Sequence, residues 1–328
     1  VDGRRMVVGG GADGWVHAID AGTGEPLWRF NLSERGLNVP PLLKDGVVYA
    51  AHSEENVDTP GIMGRVVALD PSGRGDVTAS AEIWRANGLG VGFASPTAVG
   101  SHLFLVGNSA DLHALDIKSG EPQWSLNFGN VGRAAPTFAD GKLFLTEQNG
   151  HVFIVKPGTE DAEVLDEEAL EMPSGRYAEM WGAVAIAYGR AYFTTEEGLY
   201  CIGDEDAPFA AKASAPEAAP HTAPAGAQPA TLRVVPAELI GTAGEAASFE
   251  AWLFDDKGRF IRKSEAEWSL DGLAGEVSAD GRLTTPASGT TTGKVKAGVG
   301  DLEATAQVRL FGPLPWTFDF EDGQVPRH

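Results

Sequence analysis

The sequence predicts an all-β chain, a multi-bladed β-propeller followed by a β-sandwich. Three observations carry that prediction. Residues 18–28, "AIDAGTGEPLW", return almost unchanged at 114–124 as "ALDIKSGEPQW". Upstream of the motif a second pattern recurs, two short apolar runs joined by a turn centred on Gly, which is a hairpin signal. Beyond residue 230 the pattern becomes a series of alternating apolar and polar segments separated by turn residues.

The composition fits. Glycine makes up 42 of 328 residues and 43 % of residues are apolar, a globular, turn-rich balance. A net charge of −21 argues against nucleic acid and against a polyanionic membrane surface, because phosphate contacts need clustered positive charge. No apolar run is long enough for a transmembrane helix. The single cysteine, Cys201, excludes an internal disulfide and a multi-cysteine metal site.

Aligning the motif gives five units. Ala18, Ala68, Ala114, Ile154 and Cys201 fall in equivalent places, spaced 50, 46, 40 and 47 residues apart. A period of roughly 40–50 residues holds about four short strands, one propeller blade. Each blade reads as strand A (Pro41–Leu43), a tight turn at Asp45-Gly46, strand B (Val47–Ala51), a loop, strand C (Val66–Asp70), a Thr/Ser-Gly turn, and strand D starting at the Trp. The first unit starts at strand B. The fifth has A, B and C, with a linker where D belongs. The expectation is therefore an incomplete ring in residues 1–204, with further blades upstream.

Within the motif each residue has a physical task. Small Ala18, Ala68 and Ala114 permit close approach of the neighbouring blade. Asp20, Asp70 and Asp116 can hydrogen-bond the following turn, and Gly24 and Gly120 supply its left-handed backbone angle. Trp28, Trp84 and Trp124 cover large apolar areas and can dock between blades. This Ala-x-Asp-x-x-x-Gly-x-x-x-Trp pattern resembles the tryptophan-docking motif of PQQ-type β-propeller repeats. Those repeats occur in quinoprotein alcohol dehydrogenases and in non-catalytic propellers such as the lipoprotein of the outer-membrane β-barrel assembly machine. The resemblance implies seven or eight blades and leaves activity open.

Residues 205–230 are mostly Ala and Pro and read as an extended spacer. Residues 231–311 read as a sandwich of about seven strands, with Trp268 as a core tryptophan and Asp255-Asp256 in a solvated turn. "VSADGRLTTP" followed by "GKVKAGVGDLEATAQVRL" resembles a bacterial immunoglobulin-like domain, which implies an exported protein: periplasmic, cell-surface or secreted. Residues 312–328 look like the start of a further β module.

Blade order places the D–A and B–C loops on one face. The D–A loops carry Asn38, Phe93, Arg133, Tyr177, Glu179 and Trp181. The B–C loops carry His52, Glu54, Glu55, Asp58, Asn108, Asp111, Glu147, Gln148 and Asn149. Arg133, Glu147, Glu179 and Trp181 form the leading candidate group, with Asn38 and Phe93 beside them. No nucleophile elbow, zinc-protease helix or phosphate loop is present. The leading expectation is a non-catalytic scaffold that recognises a protein or carbohydrate at the loop face, with no cofactor and no metal. The alternative is a PQQ- and Ca²⁺-dependent alcohol or sugar dehydrogenase. In that family the quinone packs on a vicinal disulfide, and no Cys-Cys pair exists here.

Overall fold

The computed structural model describes residues 4–204, 221–287 and 289–312. These residues form strands and turns and divide into two compact units.

The first unit holds five blades. Blade I contributes β1 (Met6–Gly10), β2 (Trp15–Asp20) and β3 (Pro26–Asn31); blade II contributes β4 (Leu42–Lys44), β5 (Val47–Glu55), β6 (Met63–Leu69), β7 (Gly75–Asp76) and β8 (Glu82–Asn87). Blade III contributes β9 (Thr97–Val99), β10 (His102–Val106), β11 (Asp111–Asp116) and β12 (Pro122–Asn127). Blade IV has β13 (Thr137–Ala139), β14 (Lys142–Thr146), β15 (His151–Pro157) and β16 (Ala162–Ala169), and blade V has β17 (Ala185–Ala187), β18 (Arg190–Thr195) and β19 (Gly198–Ile202). Blades II, III and IV are four-stranded antiparallel meanders, and blade V has three strands among the described residues. Innermost strands β9, β13 and β17 are successive neighbours. Two hydroxyls tie them: Thr97 Oγ1 donates to Pro136 O and Thr137 Oγ1 to Val184 O, both at 2.6 Å.

Two details depart from the expected blade. The D strands start two residues before the Trp, at Pro26, Glu82 and Pro122. Blade I also gains an outer strand: β7, in the long C–D connection of blade II, pairs parallel to β3 at Trp28 and Arg29. Val77 N donates to Arg29 O and Asn31 N to Thr78 Oγ1, which fixes the excursion.

The repeated motif builds one device in each blade. Ala18, Ala68 and Ala114 sit directly opposite Trp28, Trp84 and Trp124, and the ladder shifts immediately after each alanine. The fourth copy shifts at the same place, after Ile154, but its cross-strand partner is Asp166. An extra residue on one strand bends it and re-aims the next side chain. Asp116 closes the following turn: its carboxylate accepts from Lys118 N and Ser119 N, and its main-chain carbonyl from Gly120 N. Each tryptophan then reaches the next blade. Trp84 Nε1 donates to Ile117 O and Trp124 Nε1 to Gly158 O, both at 3.1 Å. Trp84 packs with Leu103, Leu105 and Leu115 of blade III, and Trp28 with Val48, Val67 and Leu69 of blade II. Gly120 meets two demands at once. Its φ is +75°, and a Cβ there would lie 2.4 Å from Cε3 of Trp84.

The second unit is a sandwich of ten short strands: β20 (Thr231–Val235), β21 (Glu238–Thr242), β22 (Ala247–Ser248), β23 (Glu250–Phe254), β24 (Phe260–Ser264), β25 (Glu267–Asp271), β26 (Glu276–Val277), β27 (Arg282–Thr284), β28 (Thr291–Val299) and β29 (Leu302–Phe311). Its sheets run β20-β23-β24, β21-β29-β28-β25 and β22-β27-β26, with β21 parallel to β29. The core gathers Leu232, Phe249, Leu253, Val295, Val308 and Leu310. Ten strands replace the expected seven because several are two- or three-residue segments around tight turns.

Three expectations shift here. Trp268 lies on edge strand β25 and packs half-buried against the core, rather than at the centre. Asp255 is buried, not solvated. It accepts from Lys257 N, Arg259 N and the Arg259 guanidinium at 2.7–3.0 Å, which occupies its lone pairs. The sandwich also starts before residue 231, since Phe260 N donates to His221 O and Ala223 N to Phe260 O. The expected spacer core (205–220) and the C-terminal module (313–328) lie outside the described residues.

Candidate ligand cavity on the loop face

The B–C corners of blades I, III and IV share one turn. Gly11, Gly107 and Glu147 each donate from N to the carbonyl four residues on, and each accepts from the amide three residues on. The residue closing the turn has positive φ in every case: Gly14, Ala110 and Gly150.

These corners lock to the D–A loops through their main chain. Asn108 N donates to Gly90 O, while Asn108 O accepts from Gly132 N. Gln148 repeats the arrangement, with Val131 O as acceptor and Met180 N as donor. The corners of blades III and IV are therefore each clasped between two D–A loops by backbone bonds.

Between blades IV and V this clasp floors a cavity of about 510 Å³, lined by residues that include Asn130, Glu147, Gln148, Arg176, Tyr177 and Glu179. Glu147 takes the position that is Gly in blades I and III. Its side chain is buried against Gly129, and Oε1 accepts from Asn130 N at 2.5 Å. Glu147 therefore fixes the loop that presents Asn130. On the opposite wall, Glu171 bridges Tyr177 across a small turn closed by Gly175 N to Met172 O. Tyr177 is 80 % exposed. Glu179 N donates to Glu196 Oε2, and Glu179 Oε2 accepts from Trp181 Nε1 at 3.4 Å.

The structure divides the candidate group. Glu147 and Glu179 line the same cavity, and Trp181, 56 % exposed, is bonded to Glu179. Arg133 goes elsewhere: its guanidinium lies 4.4 Å over the Phe93 ring, with Nε and Nη1 buried and lacking a protein partner. Asn38 belongs to a separate cavity of about 560 Å³ with Arg35, Glu54 and Glu55. The cavity residues that sequence reasoning missed are Asn130 and Arg176. Arg176 adjoins Tyr177 in "SGRYAEMW", so composition of the D–A loop was the available signal.

Blade II carries a second polar assembly in its long B–C insertion. Arg65 is 1 % exposed. Its Nε donates to Asn87 Oδ1 at 2.7 Å, and Nη2 reaches both Asp58 and Thr59 Oγ1. Asp58 also pairs with Arg85, which pairs with Glu82. These contacts, Arg65 foremost, hold the Asp58 carboxyl down at about 2.

His52 is the cross-strand partner of Arg65 and is buried. Its Nδ1 accepts from Glu54 N. Burial first, then the Arg65 charge, lower its pKa from 6.5 to about 4. Between those values the unfolded chain binds a proton that the folded chain does not, so stability falls as pH drops from 6.5 toward 4. The charged group that acts on the ring is Arg65, directly across from it on β6. Urea titrations at pH 7.5 and 4.5 should show the wild type losing more than His52→Gln does, by up to about 3 kcal/mol. Equal losses in the two proteins would refute this assignment.

The quinoprotein alternative asks for a different set of residues. Its quinone seat needs adjacent cysteines, and the one cysteine, Cys201, is exposed on β19. Among the described residues no three His, Cys, Asp or Glu side chains are grouped to hold a metal ion. The described residues do not fit that cofactor.

The model of a repeat family, PQQ_2, described as outer membrane protein assembly factor BamB, matches residues 1–59 and 62–164. Among solved structures, the crystal structure of BamB from Moraxella catarrhalis is 17 % identical, covers 85 % of this chain and 80 % of its own, and gives a TM-score of 0.43. The computationally designed Ika8 protein is 13 % identical, with 61 % of this chain and 55 % of that one covered, at a TM-score of 0.45. No curated protein matches the chain.

Proposed function

We propose that the chain is a non-catalytic propeller scaffold, a reading supported by the match of residues 1–59 and 62–164 to the PQQ_2 family model. It recognises a ligand at its loop face. The observation that supports this most directly is the cavity between blades IV and V, where exposed Tyr177 lies among polar side chains on a floor of clasped backbone. Exposed aromatic side chains next to fixed polar groups are the composition of recognition surfaces.

The matched family model is that of an outer membrane protein assembly factor, which favours a scaffold role and an exported setting for this chain. The net charge of −21 suits a soluble scaffold and disfavours nucleic acid as a partner. The second unit would act as a further module on the same exported chain, in keeping with its immunoglobulin-like sequence pattern. Tandem modules raise avidity without new contacts at either site.

A photo-crosslinking residue at Tyr177 tests the reading against one at Glu163 on outer strand β16. In the host cell, discrete adducts are expected from position 177 and none from 163. Adducts from 163 alone would remove the loop face as the recognition surface, and adducts from neither position would remove a protein as its ligand. The dehydrogenase alternative predicts saturable, Ca²⁺-dependent PQQ binding with thermal stabilisation, and the scaffold reading predicts none.

A further inference from the structure

We propose that the cavity between blades IV and V binds a short neutral oligosaccharide. This inference rests on the loop-face reading above and names its ligand class.

The floor presents side chains rather than main chain to a ligand. The floor's main chain is already paired: Gln148 N with Val131 O, Met180 N with Gln148 O, and Glu147 N with His151 O. A peptide that adds to a sheet edge needs unpaired backbone donors and acceptors, and this floor lacks them. Recognition here falls to side chains. Those present are the carboxamides of Asn130, Gln148 and Asn149, the guanidinium of Arg176, the carboxylate of Glu179 and the phenol of Tyr177; Asn130 Nδ2 also donates to Glu147 Oε1 and Asn149 Oδ1 accepts from His151 N, both at 3.4 Å.

The chemistry of these side chains suits hydroxyl groups. A carboxamide presents a donor and an acceptor side by side. Three of them around one cavity match a ligand bearing neighbouring hydroxyls, each of which donates and accepts. Arg176 adds donors and Glu179 adds acceptors. Tyr177, at 80 % exposure, offers an uncovered ring face for the apolar C–H face of a pyranose. Its ring has few rotatable bonds, so ordering it on binding costs little.

Charge and size narrow the class further. Glu147 and Glu179 contribute two carboxylates against one Arg176, on a chain of net charge −21. That balance repels uronates, sulfated glycans and phosphorylated ligands. An apolar ligand would leave the carboxamides without partners, at a desolvation cost. A volume of about 510 Å³ lies inside the usual range for small-molecule sites, and the open rim admits a chain of more than one sugar. Glu147 acts here as a positioning residue, since its bond to Asn130 N sets the loop that carries that carboxamide.

Calorimetric titration of the full chain with chitotetraose, cellotetraose, maltotetraose and mannotetraose tests the proposal, with tetragalacturonate as the anionic contrast. Saturable binding of at least one neutral sugar is expected, and none of the tetragalacturonate. Tyr177→Ala should weaken binding about tenfold or more. Gln148→Ala should weaken it about threefold or more, and Tyr177→Ala should leave the melting temperature unchanged, since its side chain is exposed. Absence of binding to all four neutral sugars by folded protein would overturn the proposal. So would equal affinity in wild type and both variants, or tighter binding of tetragalacturonate. A protein adduct at position 177 without any sugar binding would sink the sugar class while leaving the loop-face reading intact. Sugar binding that the two variants abolish, with no protein adduct, would support both.

Discussion

Replacing Asp58 by alanine should destabilise the propeller unit by about 2–4 kcal/mol. Asp58 itself is 44 % exposed, so the loss of an exposed carboxylate is a minor part of this figure. The larger part comes from Arg65, whose side chain is nearly completely buried and would keep its charge with only Asn87 and Thr59 as partners. A buried charge that loses its counter-ion is far more costly than a buried pair is beneficial. The double variant Asp58→Ala/Arg65→Met should therefore be more stable than Asp58→Ala alone, because it removes the orphaned charge. Urea unfolding of the wild type, both single variants and the double variant completes the cycle. If the double variant loses the sum of the two single losses, the pair is not coupled and the account fails. The pH dependence follows the same contact. With its carboxyl held at about 2 against 3.8 ordinarily, Asp58 contributes stability at pH values above 3.8. That contribution fades as pH falls from 3.8 toward 2.

Trp84→Ala should cost about 3–5 kcal/mol, a drop on the order of 10 °C for a unit of this size. The indole fills the seam between blades II and III, against Leu103, Leu105 and Leu115, and no smaller side chain spans that gap. Trp84→Phe keeps most of the area and loses the Nε1–H bond to Ile117 O, so about 1–2 kcal/mol is expected. The docking seat gives an independent check. Gly120→Ala places a methyl within the Trp84 ring and also forces alanine to φ +75°, whereas Gly24→Ala meets only the second difficulty, since nothing lies within 4 Å. Gly24→Ala should cost about 1–2 kcal/mol, and Gly120→Ala clearly more. Calorimetric melting of the two variants separates backbone strain from seam packing. Equal losses would mean that the indole does not sit on Gly120.

The difference between those two glycines indicates how much was legible in the sequence. Both occupy the same place in the motif, and both have the left-handed angle that the turn requires. Only the stacked blades reveal that one of them also seats a tryptophan. The candidate site divides in the same manner. Glu147 and Glu179 were legible as loop-face residues, and they line one cavity. Arg133 carries the same credentials but stacks on Phe93 of the adjacent D–A loop. Asn130 went unnoticed because its presentation depends on a buried Glu147, and burial of that carboxylate beneath Gly129 is a tertiary event.

The sequence by itself determined the blade: the alanine-to-tryptophan motif, the aspartate-closed turn and the hairpin that precedes them. All of these interactions lie within about a dozen residues or across one strand pair, so local pattern encodes them. The cavity, the Arg65–Asp58 contact with Asn87, and the outer strand that blade II lends to blade I were decided by the tertiary structure. Their partners belong to different turns, strands or blades. Their distances are set by how the blades stack and how the connections fold back, and a repeat of 40 to 50 residues specifies each blade without specifying what its loops will meet.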